Sequence, residues 1–228
     1  MEKQILSDRL RQVASFVPNG ARLLDVGSDH AYLPIDLTQQ GVLTYAIAGE
    51  VVQGPYQSAQ KNVTAHGLSQ QIEVRLANGL AAVELVDQID TIVIAGMGGR
   101  LIAAILEAGK DKLEQVTRLI LQPNNREDDV RIWLEQNAFS ILEEAILEEN
   151  GKYYEIIVAV PGQMTLTEKE KRFGPCLSLE RSAVFVERWE RELLKLDQAL
   201  AKIPEHRSEE RLAIIHKQEA IQEVLHES

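Results

Sequence analysis

The chain has 228 residues, of which 45% are hydrophobic and 26% are charged, and its formal net charge is −11. This length allows one full domain with an appendage. We expect no secretory signal in the charged amino-terminal segment and no membrane-spanning segment, because no apolar run is long enough. The single cysteine, Cys176, excludes an intramolecular disulfide and a cysteine-based zinc site, which favours a cytoplasmic protein without a metal.

The acidic net charge argues against broad, nonspecific affinity for nucleic acid, because phosphate binding depends on lysine and arginine. Local basic clusters still allow a specific RNA partner, although a solvated surface is the simpler interpretation of each. The clusters are Lys3, Arg9, Arg11 and Arg22 near the amino end, and Lys169, Lys171 and Arg172 further along.

Helical and strand-like patterns alternate over the first 160 residues, after an amphipathic helix predicted over 4–17. Apolar runs predict strands over 22–26, 43–48, 72–76, 90–95, 118–121, 139–147 and 153–160, with helices over 55–66, 101–108 and 128–137. Asn150-Gly151 is a strong hairpin signal between the last two strands. The pattern predicts a mostly parallel α/β sheet with an antiparallel edge hairpin.

Beyond Pro161-Gly162, which marks the predicted domain boundary, the composition becomes helical and charged. A coiled-coil seam is predicted from apolar residues that repeat at threes and fours. They are Phe185, Trp189, Leu193, Leu196, Leu200 and Ile203, and a second helix carries Ile214, Ile221 and Leu225. Two antiparallel helices form the simplest structure for residues 162–228. A self-packing or dimerising appendage and an RNA-docking arm are equal alternatives.

The turn after the first predicted strand has the strand–turn–helix order of nucleotide sites in open α/β sheets. Asp25 stands near the strand's carboxyl end, Gly27 permits a sharp turn, and Pro34 stands where a helix would begin. Counted from Gly27, Asp29 and Tyr32 occupy the second and third glycine positions of the dinucleotide fingerprint.

A carboxylate at Asp29 opposes a pyrophosphate and favours a cationic ligand. S-adenosylmethionine carries a sulfonium and an ammonium group, and both would gain from Asp25 and Asp29. The alternative is an ordinary acidic turn that binds nothing.

Four further strand ends carry candidate binding groups. Glu50 ends the second strand, where a carboxylate accepts both hydroxyl protons of a ribose. Asn78, beside Gly79, can hydrogen-bond an adenine edge. The glycine-rich turn at 96–99 implies close backbone approach, and the proline in 122–124 presents two amides in an extended turn.

Six blocks of sequence occur in a family-specific order. They are DVGSDHAYLP at 25–34, Gly-Glu at 49–50 with Gly-Pro at 54–55, Asn-Gly-Leu at 78–80, IAGMGG at 94–99, LQPN at 121–124 and GKYYEI at 151–156. The chain thereby resembles the class I S-adenosylmethionine-dependent methyltransferases. Within that class it is most similar to the bacterial tRNA (adenine-N1)-methyltransferases that act at tRNA position 22. The resemblance runs from about residue 5 to the end of the helical tail.

The resemblance implies a Rossmann-like methyltransferase domain over 1–161 and a helical, coiled-coil-like domain over 162–228. It implies S-adenosylmethionine as methyl donor and tRNA as partner, with no metal or membrane involved. The residues implied in donor binding are Asp25, Gly27, Asp29 and His30 in the first loop, Glu50 and Val51 at the ribose and adenine, Asn78 and Gly79 at the adenine edge, and Ala95, Gly96 and Met97 near the methyl group. Asp29 and Asn78 depart from the glycine and aspartate common in the class.

Adenine N1 has an in-plane lone pair at neutral pH, so the expected chemistry needs no base and depends on positioning. The N1 edge must be unpaired or flipped out. We hypothesise that Gln122, Asn124 and the glycine turn hold the base, while Asp29 relieves the developing charge. Alternatively, Asn124 caps the following helix and His30 is a turn residue bonded to backbone.

Tyr153 and Tyr154 face opposite ways, so at most one stacks on a base. Two alternative functions remain open from the sequence. One is methylation of a small molecule or protein, which the acidic charge favours. The other is a non-catalytic, donor-binding adaptor.

Overall fold

The computed structural model describes residues 6–226, and within them the chain forms seven strands and nine α-helices. Lys3 and residues 4–5 of the predicted first helix lie outside this range. The strands are β1 (Ala21–Val26), β2 (Leu43–Glu50), β3 (Ile72–Leu76), β4 (Thr91–Met97), β5 (Arg118–Pro123), β6 (Phe139–Glu149) and β7 (Lys152–Pro161). The helices are α1 (Asp8–Ser15), α2 (Tyr32–Gln39), α3 (Gln53–Ala65), α4 (Gly99–Ala108), α5 (Glu127–Gln136), α6 (Glu168–Phe173), α7 (Leu177–Glu180), α8 (Ala183–Lys202) and α9 (Ser208–His226).

The seven strands form one sheet in the order β3-β2-β1-β4-β5-β7-β6. The pairs among β1 to β5 are parallel, whereas β7 runs antiparallel to both β5 and β6. This confirms the predicted mostly parallel sheet with an antiparallel edge. The strand order reverses between β1 and β4, and in open α/β sheets ligands bind outside the carboxyl ends of the strands at such a point.

Both faces of the sheet are covered, which explains the uninterrupted apolar run of β4. Ile92 and Ile94 point into one buried cluster, and Val93 points into the cluster on the opposite face. Strand residues alternate between faces, so a strand buried on both sides carries apolar residues at every position.

The hairpin between β6 and β7 turns at Asn150 and Gly151, as the sequence predicts. Both residues have positive φ, 54° and 75° respectively. A two-residue hairpin turn of this type matches the twist of the flanking strands, and Asn-Gly tolerates it well.

The carboxyl-terminal helices pack through the first residues of the predicted coiled-coil seam. Phe185 and Trp189 are buried with Phe173, Ile221 and Val224, whereas the middle of α8 exposes Leu194. Trp189 also contacts the ring of Phe173 edge-on, with ring centroids 4.6 Å apart. This part of α8 therefore packs on α6 as well as on α9. The division at residues 161 and 162 stays a prediction.

Candidate active site

The turn after β1 is built from left-handed backbone. Gly27 has a φ of 67°, and the N–H groups of Gly27 and Ser28 both donate to the carbonyl of Gly49. Asp29, His30 and Ala31 follow with φ values of 41°, 68° and 60°. Three successive left-handed residues complete the turn early, so α2 begins at Tyr32 and not at Pro34 as predicted.

Asp25 lies at the floor of this turn with only 5% of its surface exposed. The Ser28 hydroxyl donates to its Oδ2 over 2.5 Å. Burial raises the pKa of Asp25 to about 7, because removing the carboxylate from water disfavours its charge. The Ser28 hydrogen bond lowers the pKa and the negative charges of Glu50 and Asp29 raise it, both to a smaller degree than burial.

Glu50 ends the neighbouring strand β2 and is also 5% exposed. Its Oε1 is buried and has no hydrogen-bond partner within the described residues. Burial raises the pKa of Glu50, and a hydrogen bond from the Asp29 backbone opposes this increase. A buried carboxylate oxygen without a donor is costly, and the hydroxyls of a ribose would supply donors.

The candidate adenine residues surround the end of β2. The N–H of Ala77 donates to the carbonyl of Glu50 over 2.8 Å, which brings the 77–79 segment beside it. Asn78 is exposed, and Val51 exposes 60% of its surface. Gly79 has a φ of 55°, and a β-carbon there would lie 2.9 Å from Ile105. The exposed side chains of Asn78 and Val51, and the tightly packed backbone at Gly79, therefore border the position expected for adenine.

The side of the cleft nearest β4 is formed by Ala95, Gly96 and Met97. A β-carbon on Gly27 would lie 2.5 Å from the Met97 methyl group, so the turn after β1 and the end of β4 are in close contact. Ala95 and Met97 are half-buried and Gly96 is exposed. The ends of β1, β2 and β4 thus bring the predicted donor-binding residues to one edge of the sheet.

The loops after β4 and β5 are joined by the two predicted amides. Gln122 is fully buried, and its Oε1 accepts hydrogen bonds from the Gly96 N–H at 3.0 Å and from Arg9 Nη1 at 2.5 Å. Its Nε2 donates to the carbonyl of Pro123 and to Asn124 Oδ1. All hydrogen-bonding positions of the Gln122 amide are therefore in use, and contact with a base stays a prediction that requires one of these bonds to open.

Asn124 is exposed at the same edge. Its Nδ2 donates to the carbonyl of Gly96 over 2.7 Å, and its backbone N–H donates to the carbonyl of Met97. Helix capping, the alternative role of Asn124, is wrong, because α5 begins at Glu127 with Arg126 at its N-cap. The side chain belongs to the glycine turn.

Asp29 and His30 stand at the rim. The Asp29 side chain is 82% exposed, and its Oδ1 lies 3.4 Å from His30 Nε2. The His30 ring stacks on Tyr32 with centroids 5.1 Å apart, and its backbone carbonyl accepts a hydrogen bond from Asn62. Asp29 is therefore a largely exposed carboxylate, whereas the His30 ring is partly covered by Tyr32.

Two contributors were missed by sequence reasoning. Ser28 is the hydrogen-bond donor to Asp25, and its place between glycine and aspartate is the only signal for that role. Arg9 reaches Gln122 from a helix 113 residues away along the chain. The sequence marks Arg9 only as one of several basic residues.

A basic groove of about 470 Å³ opens beside Asn124, between the β6–β7 hairpin and α8. It is lined by Asn124, Gly151, Lys152, Tyr153, Tyr154, Arg188, Arg191, Glu192 and Lys195. The guanidinium of Arg9 lies over the Tyr154 ring and that of Arg191 over the Tyr153 ring. The two tyrosines therefore have different neighbours, as their opposite orientations predict.

In residues 6–226 no helix is both long and apolar enough to span a membrane. The same residues hold no group of three or more histidine, cysteine, aspartate and glutamate side chains placed to bind a metal.

A family model described as tRNA (adenine(22)-N(1))-methyltransferase matches residues 23–226. The tRNA (adenine(22)-N(1))-methyltransferase of Bacillus subtilis is 45% identical over 199 residues, covering 85% of this chain and 83% of the relative.

Two similar solved structures each align with almost the whole of this chain. A Streptococcus pneumoniae protein in complex with S-adenosyl-L-methionine is 61% identical with a TM-score of 0.92, covering 97% of this chain and 100% of that one. M. capricolum TrmK, in complex with S-adenosyl-homocysteine, is 30% identical with a TM-score of 0.86, covering 97% of this chain and 98% of that one.

Proposed function

The chain belongs to the tRNA (adenine(22)-N(1))-methyltransferase family, and on that premise we propose that it methylates N1 of adenine 22 in tRNA. S-adenosylmethionine is the methyl donor. The observation that carries the proposal is the buried carboxyl pair of Asp25 and Glu50 at the switch point of the sheet, with Glu50 Oε1 lacking a hydrogen-bond donor in the described structure.

The residues present fit the donor. Glu50 would accept hydrogen bonds from the ribose hydroxyls, because its Oε1 is buried and has no hydrogen-bond donor in the described structure. Asp25 and the rim carboxylate of Asp29 would face the ammonium and sulfonium charges. Val51 and Asn78 would border the adenine, and the backbone at Gly27 and Gly96 would allow close approach.

When bound, the donor supplies a methyl group on a positively charged sulfur. Asn124, held by its bonds to the Gly96 and Met97 carbonyls, would orient the acceptor base beside the glycine turn. The buried Gln122 amide holds the Asn124 side chain by donating a hydrogen bond to its Oδ1. Asp29 would stabilise the positive charge that develops on the base. Because N1 carries a free lone pair, we assign no general base, and positioning supplies most of the rate enhancement.

The tRNA would approach through the basic groove next to Asn124. Three cations of the groove, Lys152, Arg191 and Lys195, lie on its hairpin and α8 sides and would meet phosphates. Tyr153 and Tyr154 offer aromatic faces, although the Arg9 guanidinium already covers Tyr154. With tRNA as its substrate, the protein would act in the cytoplasm, as the sequence predicts.

Mapping of modified nucleosides by mass spectrometry tests the proposal. Unmodified tRNA is incubated with the protein and S-adenosylmethionine, and a matched tRNA with guanine at position 22 serves as control. We expect one methyl group at N1 of adenine 22 and none in the control. Methylation at another position, or turnover on a small molecule or protein but not on tRNA, would contradict the proposal.

Two variants test the assigned roles in the same assay. Asn124→Ala should bind the donor normally and methylate roughly 100-fold more slowly, the usual effect of losing one positioned donor. Asn125→Ala is the matched control, since that neighbouring amide makes no side-chain hydrogen bond in the described chain. Asp29→Ala should weaken donor binding and also slow methylation at saturating donor, and an unchanged rate at saturating donor would remove its electrostatic role toward the base.

A further inference from the structure

Arg9 is a basic residue fixed at the acceptor side of the cleft. Helix α1 carries it, and the Glu149 carboxylate at the end of β6 accepts from the Asp8 N–H over 2.6 Å. The guanidinium donates to Gln122 Oε1 and lies over Tyr154, with 5.5 Å from Cζ to the ring centroid. The side chain is therefore oriented by α1, β5 and β7 together.

Arg9 also lies against the glycine turn. A β-carbon built on Gly96 would be 3.4 Å from Arg9 Nη1. Gly96 is the residue whose carbonyl accepts from Asn124, so the guanidinium is adjacent to the loop that we assign to the acceptor base.

Within the described residues no carboxylate pairs with this charge. Among residues 6–226 Arg9 forms no ion pair, and its one side-chain hydrogen bond is to the neutral Gln122 amide. A guanidinium has five N–H donors, so most of its donors are left for a ligand. Arg11, two residues further along the same helix, differs because it pairs with Asp8.

We propose that Arg9 binds a backbone phosphate of the nucleotide presented for methylation. The proposal rests on the proposed tRNA methylation. A half-buried, unneutralised guanidinium of fixed orientation is suited to a phosphate, since the planar fork matches phosphate oxygens and charge-assisted bonds are the strong ones. The Arg9–phosphate contact would draw the flipped nucleotide toward Asn124. Arg9 also donates to Gln122, which in turn donates to Asn124, so the same side chain helps to hold the Asn124 amide in place.

Salt dependence separates phosphate binding from a purely structural role. Each phosphate contact adds about 0.7–0.9 to the slope of log affinity against log salt concentration. The dissociation constant for tRNA is measured from low to moderate salt for the wild type and three variants of the full chain. Arg9→Gln removes the charge but keeps an amide donor for Gln122, Arg9→Lys keeps the charge, and Arg11→Ala is the matched control.

We expect Arg9→Gln to reduce the salt slope by about 0.7–0.9 and to weaken tRNA binding several-fold at low salt. Its calorimetric affinity for S-adenosylmethionine should not change, which also shows that it folds. Arg9→Lys should keep the slope, and Arg11→Ala should match the wild type. An unchanged slope in Arg9→Gln with a reduced methylation rate would overturn phosphate binding and leave Arg9 only as a positioning residue. Failure of the wild type to methylate tRNA would instead overturn the proposed function.

Discussion

At the scale of single residues, the proposed donor site places two acidic side chains close together with no basic partner among the described residues. Asp25 and Glu50 are buried at the ends of adjacent strands, and within the described chain neither forms an ion pair with a basic side chain. Burial raises the pKa of both carboxyl groups. A cationic ligand would stabilise the ionised carboxylates by direct charge attraction, and this attraction would lower the pKa of both groups.

Proton release on donor binding follows from the pKa of Asp25. Because that pKa is about 7 in the free protein, Asp25 is mostly protonated at pH 6, whereas an adjacent sulfonium and ammonium favour its ionised form. Binding of S-adenosylmethionine at pH 6 should therefore release nearly one proton, roughly 0.9 for a pKa of 7. Calorimetry in buffers with different ionisation enthalpies measures this number. Asp25→Asn should release almost none, and equal release by both proteins would assign the proton to another group.

The raised pKa of Asp25 also determines how the stability of the folded protein changes with pH. A carboxyl group whose folded pKa lies above its unfolded value loses stability as pH rises between the two values. For Asp25 that window extends from about 4, the ordinary value, to about 7. Relative to Asp25→Asn, the wild type should become less stable across this window and change little above it.

At the scale of secondary-structure elements, the close contact between the glycine turn and the start of α5 shapes the acceptor side. The Gly99 N–H donates to the Asn125 carbonyl over 2.8 Å, and a β-carbon on Gly99 would collide with the carbonyl of Arg126. Only glycine allows α4 and the loop before α5 to approach this closely.

Gly99→Ala should therefore destabilise the protein by about 1–3 kcal/mol, the usual cost of overpacking. Gly54→Ala is the matched control, since a β-carbon there would meet nothing within 4 Å. Because Gly54 lies in helix α3, its replacement should be neutral or stabilising by up to about 1 kcal/mol. Urea unfolding measures both values, and equal stability of the two variants would contradict the steric argument.

Elements set by local sequence were predictable, whereas contacts between distant segments were not. Buried apolar runs predict β1 and β4, and Asn150-Gly151 fixes the last hairpin, because each signal lies within a few residues. The Arg9–Gln122 contact joins residues 113 positions apart and has no local signature. The left-handed run from Asp29 to Ala31 was also missed, since none of its three residues is glycine or asparagine.

At the scale of the whole molecule, a buried ionic network connects the sheet to the helical tail. Arg131 on α5 pairs with Glu144 on β6 at 2.7 Å and with Glu155 on β7 at 2.5 Å, and all three side chains are fully buried. Glu155 also pairs with Arg188 on α8, and Glu144 accepts from the Cys176 N–H. The orientation of the tail, and with it the basic groove, therefore depends on charges inside the first 161 residues.

Arg131→Met should cost about 3–5 kcal/mol, because it removes the buried guanidinium that Glu144 and Glu155 share and leaves Glu155 paired with Arg188. Arg207→Ala is the control, since the Arg207–Glu210 pair is exposed and should contribute at most about 1 kcal/mol. Thermal and urea unfolding give both values. A loss for Arg131→Met no larger than that for Arg207→Ala would show that the network does not hold the tail.

The central claim is that buried acidic groups at the strand ends select a cationic methyl donor. Calorimetric titration of the wild type and of the Asp25→Asn/Glu50→Gln double variant with S-adenosylmethionine tests it most directly, with NAD as the comparison ligand. We predict that the wild type binds S-adenosylmethionine and not NAD, and that the double variant loses affinity by at least about tenfold, or 1.4 kcal/mol, while remaining folded. Unchanged affinity in the double variant, or tighter binding of NAD than of S-adenosylmethionine, would contradict the claim.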